Sequence, residues 1–186
     1  MDSTRLAEAL APLATPAGVL TLSRLPLAVV FPLVAVHGPG PALGIYLLGV
    51  STDFLDGWLA RRSGQTSQLG AYLDGIADKT FHLSVAGTLW WLGWVPEPWL
   101  LLWFTREILQ GVLAPWFALR ILQAPGRSRG ASRLGKAATV ALGIAVVAVI
   151  LGWMPGALAA SIATAALGAA ATLGYLRRER RPRRTP

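Results

Sequence analysis

The sequence predicts an all-α integral membrane protein of six transmembrane helices with both termini on the cytoplasmic side. Three observations carry that expectation. The 186 residues are 54% hydrophobic and only 14% charged, too apolar for an ordinary soluble domain. The apolar runs are roughly 20 residues long, the length a bilayer demands of a helix. Finally, the 17 basic residues, against nine acidic ones, give a net charge of +8 and are sorted by side. Arg5, Arg61, Arg62, Arg120, Arg127, Arg129, Arg133 and the C-terminal tail all fall at loops or ends on one side, while the opposite loops hold Glu97 and no Lys or Arg. This is the positive-inside pattern, and it places the basic side in the cytoplasm. A soluble chain of this charge would point to nucleic acid; membrane orientation accounts for the excess here, and no nucleic-acid partner is expected.

Taken in order, residues 1–17 form a juxtamembrane segment without the basic-then-apolar order of a cleaved signal, so the N-terminus is read as mature. Ser3 to Leu13 fits an amphipathic surface helix, with Leu6, Leu10 and Leu13 on one side, as well as it fits a frayed lead-in. The six-helix domain is expected over 18–176. Its first span covers Gly18 to Val36 and ends in a turn at His37 to Pro41. The second runs from Ala42 to Arg62, and a loop from Ser63 to Ser67 leads to the third, Gln68 to Trp94. Pro96 and Pro98 mark a turn before the fourth span, Trp99 to Leu122. A basic loop over 124–132 precedes the fifth, Leu134 to Met154, and Pro155-Gly156 is read as the turn before the sixth, Ala157 to Leu176. Trp90, Trp91, Trp94, Trp99 and Trp153 gather at the non-cytoplasmic helix ends, as an interfacial belt does. Residues 177–186 form a basic cytoplasmic tail, drawn to anionic headgroups or unstructured. With no cysteine in the chain, disulfides and thiolate chemistry are excluded.

The stretch from Asp53 to Asp78 carries the chemistry. Asp53 and Asp56 are three apart and Asp74 and Asp78 four apart, so each pair lies on one helix face. Carboxylates inside spans are costly and mark a site or a polar cavity. Four of them would repel one another unless a positive group, such as a divalent metal pair, sat between them, and hard oxygen ligands suit Mg²⁺, Mn²⁺ or Ca²⁺ better than zinc. The plainer reading makes them helix-end acids, solvated or paired with Arg61 and Lys79. Glycine inside a helix costs about 1 kcal/mol against alanine. Small residues at Gly57, Ala60 and Gly70 would therefore serve either a ligand approaching the backbone or close helix packing, which spacing does not separate.

Asp53-x2-Asp56-Gly57-x2-Ala60-Arg61-x8-Gly70-x3-Asp74-x3-Asp78 resembles, without a departure, the signature of the CDP-alcohol phosphotransferase family. The family is also built on six membrane helices. The charge topology puts the site on the cytoplasmic side, and the cell's inner membrane is the expected location. The resemblance implies phospholipid biosynthesis: transfer of a phosphatidyl group from CDP-diacylglycerol to an alcohol, releasing CMP, dependent on one or two Mg²⁺ or Mn²⁺ ions. It implies that Asp53, Asp56, Asp74 and Asp78 hold the metal, that Asp78 is the catalytic base, and that Asp56, Gly57, Ala60, Arg61 and Gly70 line the CDP site. It also implies a homodimer.

The acceptor is read from three further segments that resemble the phosphatidylglycerophosphate synthase branch: Leu20 to Arg24, Arg106 to Ile108, and Leu134 to Lys136 with Thr139. Thr21, Arg24, Arg106 and Lys136 are the candidates for binding a phosphorylated acceptor, best matched by glycerol 3-phosphate. Snorkelling is the plainer account of Arg24, and pairing with Glu107 that of Arg106. The chain departs from that branch at Ala114 and Ala138, where a second Arg and a second Lys are usual, and at Gly75, where a Pro is common. A cardiolipin synthase-type lipid alcohol or inositol phosphate therefore stays open as acceptor. His82, one turn beyond Asp78, is expected in a core hydrogen bond before a metal site. A small divalent-cation transporter is the reading from another class, but the acids sit at one end of the spans rather than along a path.

Overall fold

Prolines that read as turns in this chain start helices instead. The computed structural model describes residues 16–63, 68–114 and 132–180, without the side chains of 16–17, 56–58, 60–63, 68–72 and 178–180. Seven helices and no strand occur among the described residues: α1 (Pro16–Ala35), α2 (Pro39–Ser63), α3 (Gln68–Trp91), α4 (Glu97–Trp103), α5 (Thr105–Val112), α6 (Arg133–Ile150) and α7 (Met154–Arg180). Pro39 opens α2, Pro98 lies in the first turn of α4 and Pro155 in the first turn of α7. The first turn is where a missing N–H costs nothing and a fixed φ helps. The reversals fall on glycines instead: Gly38, Gly93 and Gly152 all have positive φ. Gly152 ends α6 in a Schellman turn, with Gly152 N–H donating to Val149 O and Trp153 N–H to Ala148 O, both at 2.9 Å. The turn expected at Pro155-Gly156 therefore lies three residues earlier.

The fourth expected span is divided. Its described part forms α4 and α5 around Phe104, and residues 115–131 lie outside the description. The interruption is slight, because Phe104 N–H still reaches Leu100 O and Ile108 N–H reaches Phe104 O. Thr105 Oγ1 donates to Leu101 O at 2.7 Å, a back-bond that bends helices.

The described residues divide into two compact units, with the division between Gly93 and Trp94. In the first, α1 packs against both α2 and α3, which touch each other little. Two prolines, Pro26 and Pro32, lie inside α1. Pro32 has no N–H to give the carbonyl of Ala28, and Ser84 Oγ on α3 donates to that carbonyl at 2.5 Å. A side chain of a neighbouring helix thus satisfies the group that the proline releases, as membrane helices require. Phe81 fills the middle of the unit, edge-on to Phe31 and stacked on Tyr46. Gly49 on α2 leaves room for that ring: a Cβ there would lie 2.3 Å from Phe81 Cζ.

In the second unit, α6 and α7 pair along their lengths, and α4 and α5 both lie on α7. Small residues of α6 and α7, including Ala138, Ala141, Ala145, Ala157 and Ala171, are buried in this unit. Close approach through small side chains is how helices associate where the solvent is as apolar as the core. Buried Trp103 of α4 donates its Nε1–H to Ser161 Oγ of α7 at 2.8 Å.

Three helical stretches are long and apolar enough to cross a membrane among the described residues: Gly18–Ala35, Arg133–Ile150 and Met154–Arg177. Their outward faces carry large apolar side chains such as Val29, Leu33, Val140, Ile144 and Ile162. The chain is an integral membrane protein. The charged residues of α2 and α3 lower their hydropathy, although α2 has 25 residues, about 37 Å at helical rise.

Candidate active site

The first unit brings three of the four predicted acids to one cation. Asp53 comes from α2, Asp74 and Asp78 from α3, and Arg24 from α1. Arg24 Nη1 lies 2.9 Å from Asp53 Oδ1 and 3.7 Å from Asp78 Oδ1, and Nη2 donates to Asp74 Oδ1 at 2.7 Å. The guanidinium fork spans two helices at once, which a lysine ammonium could not do in the same geometry. Arg24 is fully buried, 0% exposed, whereas the three carboxylate side chains are 36–46% exposed. The cluster is therefore sealed on the α1 side and open on the other. Burying an arginine beside three acids offsets a desolvation cost that no apolar neighbour would meet.

Local sequence explains the arrangement. Asp74 and Asp78 are one turn apart on α3, so both carboxylates project from the same face. Asp53 stands one turn after Gly49, where the Phe81 ring seats against α2, and Phe81 is three residues past Asp78. The aromatic contact and the acids thus share adjoining faces. His82 lies one turn beyond Asp78, with Nδ1 3.2 Å from Asp78 Oδ1 and 3.0 Å from its backbone oxygen. The core hydrogen bond expected of His82 is thus a local one to Asp78. Thr21, one turn before Arg24, is buried. Lys79 is exposed.

From spacing alone, Arg61, Lys79 or a metal offsets the acids, and Arg24 snorkels or binds the acceptor; no pattern in the sequence pairs Arg24 with aspartates 29 to 54 residues away. Asp56, Gly57, Ala60, Arg61 and Gly70 lie outside the residues whose side chains are described.

The residues present fit a divalent cation in their chemistry. One guanidinium among three carboxylates leaves a net charge of −2 if His82 is neutral, and the ligands are hard oxygens. In their spacing, the described acids surround the guanidinium, and among the described residues no three such groups converge on a common point at ligand distance.

The second unit holds the other predicted cations. Arg106, in the first turn of α5, sits with Nε 3.2 Å from Glu107 Oε1 and donates from Nη1 to Gly135 O at 3.4 Å. Adjacent helical residues point apart at Cβ, but these side chains are long enough to curl together. Lys136 stands exposed in the first turn of α6. Ser132 caps that helix, its Oγ accepting from Gly135 N–H at 3.0 Å, and Thr139 Oγ1 donates to Gly135 O at 3.2 Å. Ala114 is exposed and Ala138 is buried.

The family model described as CDP-alcohol phosphatidyltransferase matches residues 14–175, a range that takes in both Asp pairs. The chain belongs to the CDP-alcohol phosphatidyltransferase family. It is a phosphatidyltransferase of phospholipid biosynthesis. Among its relatives are the CDP-diacylglycerol–glycerol-3-phosphate 3-phosphatidyltransferases of Sodalis glossinidius and Pectobacterium atrosepticum. Each is 35% identical over 139 residues, 70% of this chain and 70% of the relative. The enzyme of the same name from Escherichia coli K12 is 34% identical over 111 residues, 54% of this chain and 58% of the relative.

Proposed function

We propose that this phosphatidyltransferase moves the phosphatidyl group of CDP-diacylglycerol to the hydroxyl of glycerol 3-phosphate and releases CMP. The observation that carries the reading is the set of signature aspartates, Asp53, Asp74 and Asp78, drawn from two helices to one charge centre. The names of the relatives support the choice of donor and acceptor.

In this reading Asp53, Asp56, Asp74 and Asp78 hold one or two Mg²⁺ or Mn²⁺ ions, and Gly57, Ala60, Arg61 and Gly70 complete the CDP site with Asp56. Bound metal would neutralise the diphosphate and stabilise the departing CMP oxygen. Asp78 takes the proton of the acceptor hydroxyl as that oxygen bonds to phosphorus and the bond to the CMP oxygen breaks. His82 steadies the carboxylate of Asp78 from one turn away. Arg24 orders Asp53 and Asp74 across two helices, a role additional to the acceptor contact expected of it. Arg106 and Lys136 bind the acceptor's phosphate, for which bidentate and point-charge donors are suited, and sequence resemblance alone supports Thr21 in the same role. A lipid donor explains why acids stand at membrane depth, since its acyl chains can stay in the bilayer.

The charge asymmetry of the sequence supports six spans, cytoplasmic termini and a site facing the cytoplasm, and in this reading 18–176 is the catalytic domain and the inner membrane its location. Family resemblance supports a homodimer. Purified protein in detergent, supplied with CDP-diacylglycerol and Mn²⁺, should release CMP with glycerol 3-phosphate and not with inositol phosphate or phosphatidylglycerol. EDTA should stop the release. CMP release with phosphatidylglycerol alone would move the enzyme to cardiolipin synthase-type chemistry, and no release with any acceptor would end the reading.

A further inference from the structure

One face of α7 holds the rest of the second unit in place. Ser161, Gly168 and Tyr175 are spaced by seven residues, two turns each, so they lie on one stripe of that helix. Each meets a different element. Ser161 Oγ accepts from Trp103 Nε1 of α4 at 2.8 Å. Gly168 touches α5 at Arg106: a Cβ at 168 would stand 3.0 Å from Arg106 Cβ, 3.5 Å from its backbone N and 3.6 Å from its Cα. Tyr175 Oη accepts from the backbone N–H of Ser132 at 3.1 Å, the residue that caps α6.

The last two contacts lead to the same place. Ser132 fixes the first turn of α6 through Gly135 N–H, and the carbonyl of Gly135 receives Arg106 Nη1 at 3.4 Å. The chain of contacts from Tyr175 through Ser132 and Gly135 ends on the guanidinium of Arg106, whose backbone is set from the other side by Gly168. Lys136 is the residue after Gly135 in that same turn. A Cβ at 168 would press on Arg106 Cβ, which moves only with its own backbone, so Arg106 would have to shift by a few tenths of an ångström.

We infer that Gly168 and Tyr175 are positioning residues, which hold Arg106 and the first turn of α6 in the register that binds the acceptor's phosphate. Neither touches substrate. The inference rests on the proposed acceptor role of Arg106, and its test separates the two. Steady-state kinetics would be measured with glycerol 3-phosphate and CDP-diacylglycerol varied in turn. Losing the hydrogen bond from Ser132 N–H to the Tyr175 hydroxyl in Tyr175→Phe should raise KM for glycerol 3-phosphate by about threefold to tenfold, with kcat and KM for CDP-diacylglycerol within about twofold of wild type. Gly168→Ala should raise the same KM at least as far, since its tight contact is with Arg106 Cβ, an atom no side-chain rotation can move.

Arg106→Gln is the reference, and it should raise KM for glycerol 3-phosphate more than either. Tyr175→Phe made on top of Arg106→Gln should then add less than it does alone, a non-additivity that general destabilisation would not produce. If Arg106→Gln leaves that KM unchanged, the acceptor role of Arg106 falls and the inference with it. If Arg106→Gln raises it while Tyr175→Phe and Gly168→Ala both leave it at wild type, the positioning role alone is overturned. A loss in Tyr175→Phe that falls equally on both substrates and on kcat overturns it too. Should Tyr175→Phe fail to accumulate, Gly168→Ala alone and on Arg106→Gln decides by the same criteria.

Discussion

Replacing Arg24 by methionine is the most searching perturbation of the site. Methionine keeps most of the length and apolar bulk of the stem but removes the cation from within 2.7, 2.9 and 3.7 Å of Asp74, Asp53 and Asp78. Breaking a fully buried ion pair by deleting one partner costs about 3–5 kcal/mol. Here only the arginine is buried; the three acids are more than a third exposed, so water and ions screen the charge that is left. The expected loss is therefore smaller, about 2 kcal/mol. For a domain of this size that lowers the melting temperature by about 4–8 °C. Differential scanning fluorimetry in one detergent, at one salt concentration and with EDTA present, would read it. Arg24→Lys should fall between wild type and Arg24→Met, because one ammonium cannot reproduce the fork to two helices. A melting temperature for Arg24→Met within about 1 °C of wild type would refute the argument, since a buried charge that organises three acids cannot be removed at so little cost.

Other outcomes follow from the same geometry. If the aspartates take a divalent ion, millimolar Mn²⁺ should recover part of the stability lost in Arg24→Met, measured by the same melt; a melting temperature indifferent to Mn²⁺ counts against a metal there. Asp78→Asn should reduce CMP release by at least about 100-fold while CDP-diacylglycerol still binds, and turnover like wild type would remove Asp78 from the base role. Gly49→Ala should destabilise by about 1–3 kcal/mol, because the Phe81 ring it meets is held between Phe31 and Tyr46 and has nowhere to go. Pairing it with Phe81→Leu should recover part of the loss in a thermal melt. Trp103→Phe should cost about 1 kcal/mol through the Ser161 hydrogen bond, and Ser161→Ala on top of it should cost little more.

Much of the fold was legible because membrane helices announce themselves by length and composition. The expected spans from Gly18, Gln68 and Leu134 begin within two residues of α1, α3 and α6. The turns were less legible. Pro39, Pro98 and Pro155 break the apolar pattern wherever they stand, and pattern alone does not say whether a proline ends one helix or begins the next. Gly38 and Gly152 carry the reversals, and their positive φ belongs to the folded backbone.

The signature from Asp53 to Asp78 and the family it marks were determined by sequence alone, because they rest on residue types at fixed spacing along two helices. Which charges meet across helices was decided by tertiary structure. α1 is apolar on nearly every face, so no stripe in its sequence says how it is rotated, and only packing against α2 and α3 turns Arg24 toward the acids. The same holds for the stripe of Ser161, Gly168 and Tyr175, three unlike residues that share a purpose once α4, α5 and α6 lie against them. Periodicity within a helix follows from its own geometry. Its rotation toward a partner follows from the partner, and no local pattern in a uniformly apolar helix records that.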